Sequence, residues 1–294
     1  MSEKFKRRYR LTVGAPNPTG ATTNLKKSVV IENLHIEFDI KYTVDSKHNS
    51  ADIKIYNLSA DTISIFDVKD CYALLEVAYS DDNLIPLFKG DISHVLTVRQ
   101  ETEVITTLTA HDGFVQSREG KVQKSLPEGA KLTEVINSIV KEGYPKVKTV
   151  NINVDTDKVY NNGYSASGGA KKALDDICKS NNLYWNIEGD TIINVLPKSG
   201  TTKREALLLT PQNGLISTPE KKAQEMENLE KQKKKPPENG IRFKCLLNPA
   251  IRVGGLVTLQ GTFKTDGSYR VDTIHHQGGY ETDEWTTEVD AAIL

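Results

Sequence analysis

A side-chain period of two is the feature that most narrows what this chain folds into. Leu34, Ile36, Phe38, Ile40 and Tyr42 are apolar, and His35, Glu37, Asp39 and Lys41 alternate with them. Successive strand residues point to opposite faces, so this stretch reads as a strand with one core face and one solvent face. Ala51, Ile53 and Ile55 repeat the pattern, as do Ala73, Leu75, Val77 and Tyr79. Residues 87–98 and 104–110 are further candidate strands. Such stripes fix the register, because a slip of one residue would turn the apolar set into water. Between strands, Ser59 is placed to cap a short helix over about 60–67.

The pattern changes near Asp112-Gly113. Leu132, Val135, Ile136, Ile139 and Val140 follow helical spacing. Gly143 stands where a left-handed helix terminus is expected, and Pro145 blocks continuation. A strand over 147–154 follows, then an Asn-, Gly- and Ser-rich loop over 161–169. A second helix is expected over 170–180, with Ala173, Leu174 and Ile177 inward. Glu188-Gly189-Asp190 reads as the turn of a hairpin between 183–187 and 191–196. Candidate strands resume at 207–209, 242–247, 255–259, 269–275 and 285–289. Glu134 and Glu142 read as solvated helix-surface carboxylates, together with Glu128.

The expected fold class is therefore a β-rich α+β protein. The expected divisions are an N-terminal β unit over 1–112, an α+β module over 113–200 and a C-terminal β unit over 201–294. A Lys-, Glu- and Gln-rich stretch over 221–238 ends in Pro236-Pro237 and has no apolar face to bury, so it reads as an exposed loop. Its charges are mixed in sign and carry no interleaved aromatics, which argues against a nucleic-acid patch.

Signals for chemistry are sparse. The 38 basic and 39 acidic residues leave a net charge of -1, which gives no whole-chain attraction to nucleic acid or anionic membrane. No apolar run approaches the ~18 residues of a membrane helix, and the basic start Lys4-Phe5-Lys6-Arg7-Arg8 lacks the apolar stretch of a secretory signal. Cys71, Cys178 and Cys245 are widely spaced and read as buried free thiols. The six histidines form no HExxH pattern, and adjacent His275 and His276 should face opposite sides of a strand. Gly163 to Gly168 has serine where a nucleophile elbow needs glycine. No catalytic, cofactor-binding or metal-binding residue is assigned, and no cofactor is expected.

Four stretches carry a resemblance to a known family. They are Ala51 to Ser59; Leu87-Phe88-Lys89-Gly90-Asp91-Ile92 with Leu108 to Gly113; Ser167 to Cys178 followed by Leu183-Tyr184-Trp185-Asn186-Ile187-Glu188-Gly189; and Cys245 to Pro249 with Val253-Gly254-Gly255, Tyr269-Arg270-Val271 and Trp285-Thr286-Thr287. In this order they resemble the baseplate hub proteins of contractile-tailed bacteriophages, relatives of the hub part of type VI secretion spikes. The charged stretch departs from that pattern as a lengthened loop.

The resemblance implies two tail-tube-like β-barrel domains with a small inserted α+β module. It implies a homotrimeric ring that adapts the sixfold tail tube to the threefold central spike and forms part of the DNA conduit. Its partners would be the spike below, tube or tube-initiator proteins above and other baseplate proteins around it. DNA would be met only in passage, through a neutral or acidic lumen, and the chain would bind no membrane itself. The virion tail would be its location, after assembly in the host cytoplasm. Two other functions remain open from sequence. One is a tail-tip hub with peptidoglycan-degrading activity, although no stretch of the needed size is left over. The other is a carbohydrate-binding adhesin using Trp185, Trp285 or Tyr280. Gly90, Asp91, Asn248, Pro249 and Gly254 are expected at turns and bulges rather than contacts.

Overall fold

The computed structural model describes residues 6–14, 28–45, 49–66, 71–79, 83–202, 205–221, 240–262 and 264–293. The charged stretch read as a loop lies outside them except for its first residue, Lys221.

The alternating stripes form the strands that carry them. β1 (Arg7–Gly14), β2 (Ser28–Ile31), β3 (Ile36–Thr43), β4 (Ser50–Tyr56), β5 (Tyr72–Tyr79), β6 (Ile85–Gln100) and β7 (Glu103–His111) gather around one core. Ile36, Phe38 and Ile40 are buried while Glu37, Asp39 and Lys41 face outward. The short helix α1 (Ala60–Phe66) begins as expected: Ser59 Oγ accepts the Thr62 N–H at 3.2 Å. Tyr9 adds a side-chain link where strand pairing stops. Its hydroxyl donates to the Leu34 carbonyl at 2.5 Å and accepts the Leu34 N–H at 2.9 Å.

The middle of the chain contains α2 (Phe114–Glu119), β8 (Lys121–Leu126), β9 (Ala130–Lys131), α3 (Leu132–Gly143), β10 (Thr149–Ile152), β11 (Val159–Tyr160), β12 (Tyr164–Gly169), α4 (Ala170–Ser180), β13 (Leu183–Glu188) and β14 (Ile192–Pro197). Its core joins the apolar stripes of α3 and α4 to Trp185, Ile187, Ile193 and Val195.

Three local readings are corrected here. The expected loop over 161–169 is in part a strand: after the turn at Gly163, β12 pairs antiparallel with β8 over six residues. Ser and Gly composition hid it, although Ala166 is its buried contact. Gly143 is the last residue of α3 rather than a left-handed terminus. A Cβ there would lie 2.1 Å from the Ala170 Cβ, so the glycine permits close approach of the start of α4. Glu128 sits in the turn before β9, not on a helix.

The last part adds β15 (Leu207–Leu209), β16 (Glu220–Lys221), β17 (Gly240–Leu246), β18 (Leu256–Leu259), β19 (Gly267–Gly279) and β20 (Trp285–Ile293) around a third core. The strands of both β units belong to one sheet, ordered β16-β17-β20-β19-β3-β4-β7-β6-β5-β1-β2, with β18 and β15 branching from β19. This is the β-rich α+β architecture expected from sequence. Among the described residues the sheet does not close on itself; it ends in edges at both ends of this path.

The two β units join where β3 pairs with β19, from Thr43–Thr273 to Glu37–Gly279. The cores interlock at this seam, because Leu247 and Trp285 from the last part complete the first core. Phe38 and Trp285 meet edge to face with ring centroids 5.3 Å apart. Between them Gly278 has no room for a side chain: a Cβ would fall 2.6 Å from the Phe38 ring and 3.0 Å from the Trp285 ring. Gly278→Val is therefore expected to cost about 1–3 kcal/mol through overpacking. Urea denaturation checks this, with Gly169→Val as a comparison, where a Cβ meets nothing within 4 Å and the backbone is extended.

Candidate functional site

Pairing across the seam makes one continuous outer face from both β units. Register carries the polar residues of each strand into rows. Glu37 stands beside Lys54, and Asp39 stands beside Asp52 and Gln277. His275 stands beside Lys41 and Glu288, and Asp290 beside Thr273 and Arg242.

These rows are laced by ion pairs. Lys54 Nζ lies 3.2 Å from Glu37 Oε2, and Lys41 Nζ lies 3.1 Å from Asp39 Oδ1. Arg242 Nε reaches Asp290 Oδ1 at 2.7 Å, and His275 Nε2 reaches Asp39 Oδ2 at 2.8 Å across the seam. Partial burial pushes the Asp39 carboxyl up. Hydrogen bonds from His275 and Lys41 more than reverse this, so it ends below the usual carboxylate range. Glu37 is lowered in the same way, with bonds from Lys54 and Tyr56 outweighing burial. Acidic and basic side chains nearly balance, so the face is hydrated but weakly charged. Such pairs add little stability each. Their effect is to hold the local potential near neutral.

The opposite side of the seam is dry. His276 is fully buried, with Nδ1 2.8 Å from Thr287 Oγ1, and burial drops its pKa to about 3. It is a neutral core residue, while His275 lies on the outer face. The two adjacent histidines thus diverge as their strand position requires.

A second constellation fastens the α+β module to the first β unit. Asp112, at the end of β7, is buried and accepts the Gly189 and Asp190 N–H groups at 3.0 Å each. Asp190 returns the bond by accepting the Gly113 N–H at 2.5 Å. Asn49 lies 3.4 Å from Asp112 Oδ2 and donates to the Ile187 carbonyl at 3.0 Å. Gln116 donates to the Asp190 carbonyl and accepts the Lys146 N–H, both at 2.9 Å. The hairpin turn Gly189-Asp190 is thereby clasped by the Asp112-Gly113 pair.

Asp91 belongs to this clasp and corrects the sequence reading. Gly90 and Asp91 lie inside β6, short of the bulge between Ile92 and His94. Asp91 Oδ2 accepts the Val115 N–H at 2.8 Å at the start of α2, and Lys146 Nζ lies 3.7 Å from its other oxygen. Asn248 and Gly254 do stand at turns. Asn248 Oδ1 accepts the Ala250 N–H at 3.0 Å, and Gly254 has a φ of 72°. The module also grips the second β unit: Arg252 Nε lies 3.2 Å from Glu188 Oε1, and the Arg270 guanidinium lies 5.7 Å from the Tyr184 ring centre.

Among the described residues, no group of three His, Cys, Asp or Glu side chains could hold a metal ion. Cys71, Cys178 and Cys245 are buried free thiols with pKa values pushed up by burial. Trp185 and Trp285 are buried, with Trp185 Nε1 donating to Asp175 at 2.9 Å, so neither presents a ring for stacking on a sugar.

Two carboxyls of the clasp, Asp112 and Asp190, are raised in pKa. Burial and the neighbouring Asp190 lift Asp112 well above its ordinary value; burial and Asp91 lift Asp190 to about 6. A carboxyl with a raised folded-state pKa binds more protons folded than unfolded. Its contribution favours folding at low pH and fades as pH climbs from about 3.9, the ordinary Asp value, through the folded value. Asp190→Asn keeps an oxygen for Gly113 and removes this titration. The melting temperature of the native chain minus that of Asp190→Asn should therefore fall as pH rises from 4.5 to 7.5. Calorimetry across that range checks it; a difference that rises with pH contradicts it.

Comparison with known proteins places this architecture. A sequence model described as baseplate hub gp41 matches residues 64–277. No curated protein sequence matches the chain. Among solved structures, a tail protein from Neisseria meningitidis superposes with a TM-score of 0.63 at 11% identity, covering 97% of this chain and 96% of that one. A 43 kDa tail protein of a Shewanella oneidensis prophage gives 0.62 at 8% identity, covering 96% of each chain. An E. coli type VI secretion component, itself described as similar to phage T4 tail proteins gp27 and gp5, gives 0.56 at 10% identity, covering 88% of this chain and 73% of that one. At such identities the likeness is one of fold. The family match spans more than half of the sequence, and the chain belongs to the baseplate hub gp41 family of bacteriophage tail structural proteins.

Proposed function

We propose that this chain is a non-enzymatic structural hub of a phage tail baseplate. Three copies form a ring that adapts the sixfold tail tube above to the threefold spike below, in a contractile tail. Each chain contributes two β units, over 1–112 and 201–294, so three chains present six such units in a pseudo-sixfold arrangement. The α+β module over 113–200 decorates the ring. The ring is part of the conduit through which DNA leaves, and it is assembled in the host cytoplasm.

The observation that carries this reading is the continuous outer face shared by both β units. A conduit for DNA needs a wall that is hydrated yet does not hold phosphates. Basic surfaces bind them through counterion release, and a neutral or acidic wall does not. The laced face, with Glu37, Asp39, Asp52, Glu288 and Asp290 set among Lys41, Lys54, Arg242 and Lys244, has that character. The clasp supports the same reading, because a hub under load needs its parts fixed to one another. In this account shape and contact perform the function, and no bond is made or broken.

Three measurements test the proposal. Gold labelling of this chain in assembled particles should mark the central axis at the tail tip, and a label away from that axis would overturn the hub reading. Zymography on cell-wall substrate should show no clearing by the purified chain. Charge reversal of the wall should also matter: particles carrying Asp39→Lys and Asp52→Lys are expected to eject DNA several-fold more slowly, with the defect relieved by added salt.

A further inference from the structure

We propose that the cavity where both β units and the α+β module meet is a binding site for a small apolar monoanion, a medium-chain carboxylate. Such a site would operate whether or not the chain serves as a hub.

The cavity has a volume of about 300 Å³. Its apolar walls are Leu87 and Phe88 of β6, Ile187 of β13, Ile251 and Val253 before β18, and Ile274 of β19. Two polar side chains in the lining are already engaged. The Tyr42 hydroxyl donates to the Leu87 carbonyl at 2.6 Å. The Asn49 amide accepts the Thr43 N–H at 3.1 Å and donates to the Ile187 carbonyl at 3.0 Å. Ligand sites have this character: mostly apolar, placed where domains meet, with a few polar groups that fix orientation. At about 30 Å³ for each water-sized group in a liquid, the volume suits about ten heavy atoms, the size of octanoate. Such an occupant would touch all three parts of the chain and stabilise their junction by mass action.

The orienting groups are Lys89 and Arg252, which also line the cavity. Lys89 is half-buried. Among the described residues no carboxylate comes within ion-pair distance of its Nζ, which instead lies 5.4 Å from the centre of the Tyr72 ring. Burial pulls its pKa down, with the charges of Asp190 and Asp112 acting against this. Arg252 Nε lies 3.2 Å from Glu188 Oε1, and the terminal guanidinium nitrogens have no acceptor among the described residues. Cations are costly to hold against apolar walls unless they are paired. A carboxylate answers both groups, because a guanidinium fork matches its two oxygens. Lys89, Arg252 and Glu188 are the charged residues of the lining, two cations and one anion. A monoanion balances them, whereas a phosphate dianion leaves an excess of negative charge.

The test uses the full-length chain, with octanoate and neutral octanol as probes. Calorimetric titration should show saturable one-to-one binding of octanoate. Octanol should bind at least about tenfold more weakly, as should octanoate to Lys89→Met, because each loses a hydrogen bond between charged groups. Lys172→Met, at an exposed site on α4, should leave octanoate binding unchanged. Octanoate should also shield Thr191→Cys, in the cavity lining, from a maleimide that the three buried native cysteines do not meet. The site is overturned by a lack of saturable binding at millimolar octanoate, or by equal affinity for the two probes. Binding indifferent to Lys89→Met in a chain with a native circular dichroism spectrum overturns it too. Octanoate that binds yet leaves Thr191→Cys fully reactive sits elsewhere, and that result counts against the site as well. None of these outcomes bears on the hub reading, which is decided by labelling in particles.

Discussion

The pairing of β3 with β19 is the constraint on which the rest of the molecule depends. Without it the chain would be two β units beside each other, each with an extra edge. With it, two sheets become one, and every residue on their outer faces falls into shared rows. The pairing also welds the cores, since Trp285 leaves its own unit to pack on Phe38 in the other. The Asp39–His275 contact straddles the seam on the wet side and His276 seals it on the dry side. Rigid continuity between the units is what the proposed symmetry adaptor requires, because independent motion of the units would blur the proposed ring.

The clasp at Asp112 solves a different problem. Burying carboxylates is costly unless their oxygens are bonded, and lone acids in a core usually pick up a proton. Here the cost is offset by backbone N–H groups of a hairpin turn, which would otherwise be orphaned at the junction. Asp112 holds the turn, Asp190 answers through Gly113, and Asp91 anchors the start of α2. The module is thus oriented by hydrogen bonds to backbone, which are directional, while its own core stays separate. Glu188 and Tyr184 then carry the contact on to Arg252 and Arg270 of the second β unit.

Much of this was legible in the sequence, for physical reasons. Strand stripes with one buried face announce themselves, and β3, β4, β5 and β7 lie where period two placed them. The amphipathic stripes of α3 and α4 are equally plain, as is the Ser59 cap. Missed elements share a cause: their signal was weak or masked by a stronger one. β1 carries Tyr9, Leu11 and Val13 inward, but its basic residues drew the reading toward a charged terminus. β12 is built of Ser, Ala and Gly, which are common in loops. Asp112-Gly113 was visible as a motif, yet its bonds go to residues 77 and 78 positions away, and no local pattern reports such a distance. Asp91 looked like a turn residue because a buried aspartate is exceptional without partners, and its partners lie on α2 and at Lys146.

In the proposed hub, the laced face of the shared sheet lines a closed passage. Asp52 is exposed on that face and Lys172 is exposed on α4, while the three native cysteines are buried. Modification by a bulky maleimide of particles carrying Asp52→Cys or Lys172→Cys tests the claim directly. The account predicts that Asp52→Cys is protected in intact particles and reacts freely in the purified chain, whereas Lys172→Cys reacts in both. Equal modification of the two positions in intact particles would contradict it.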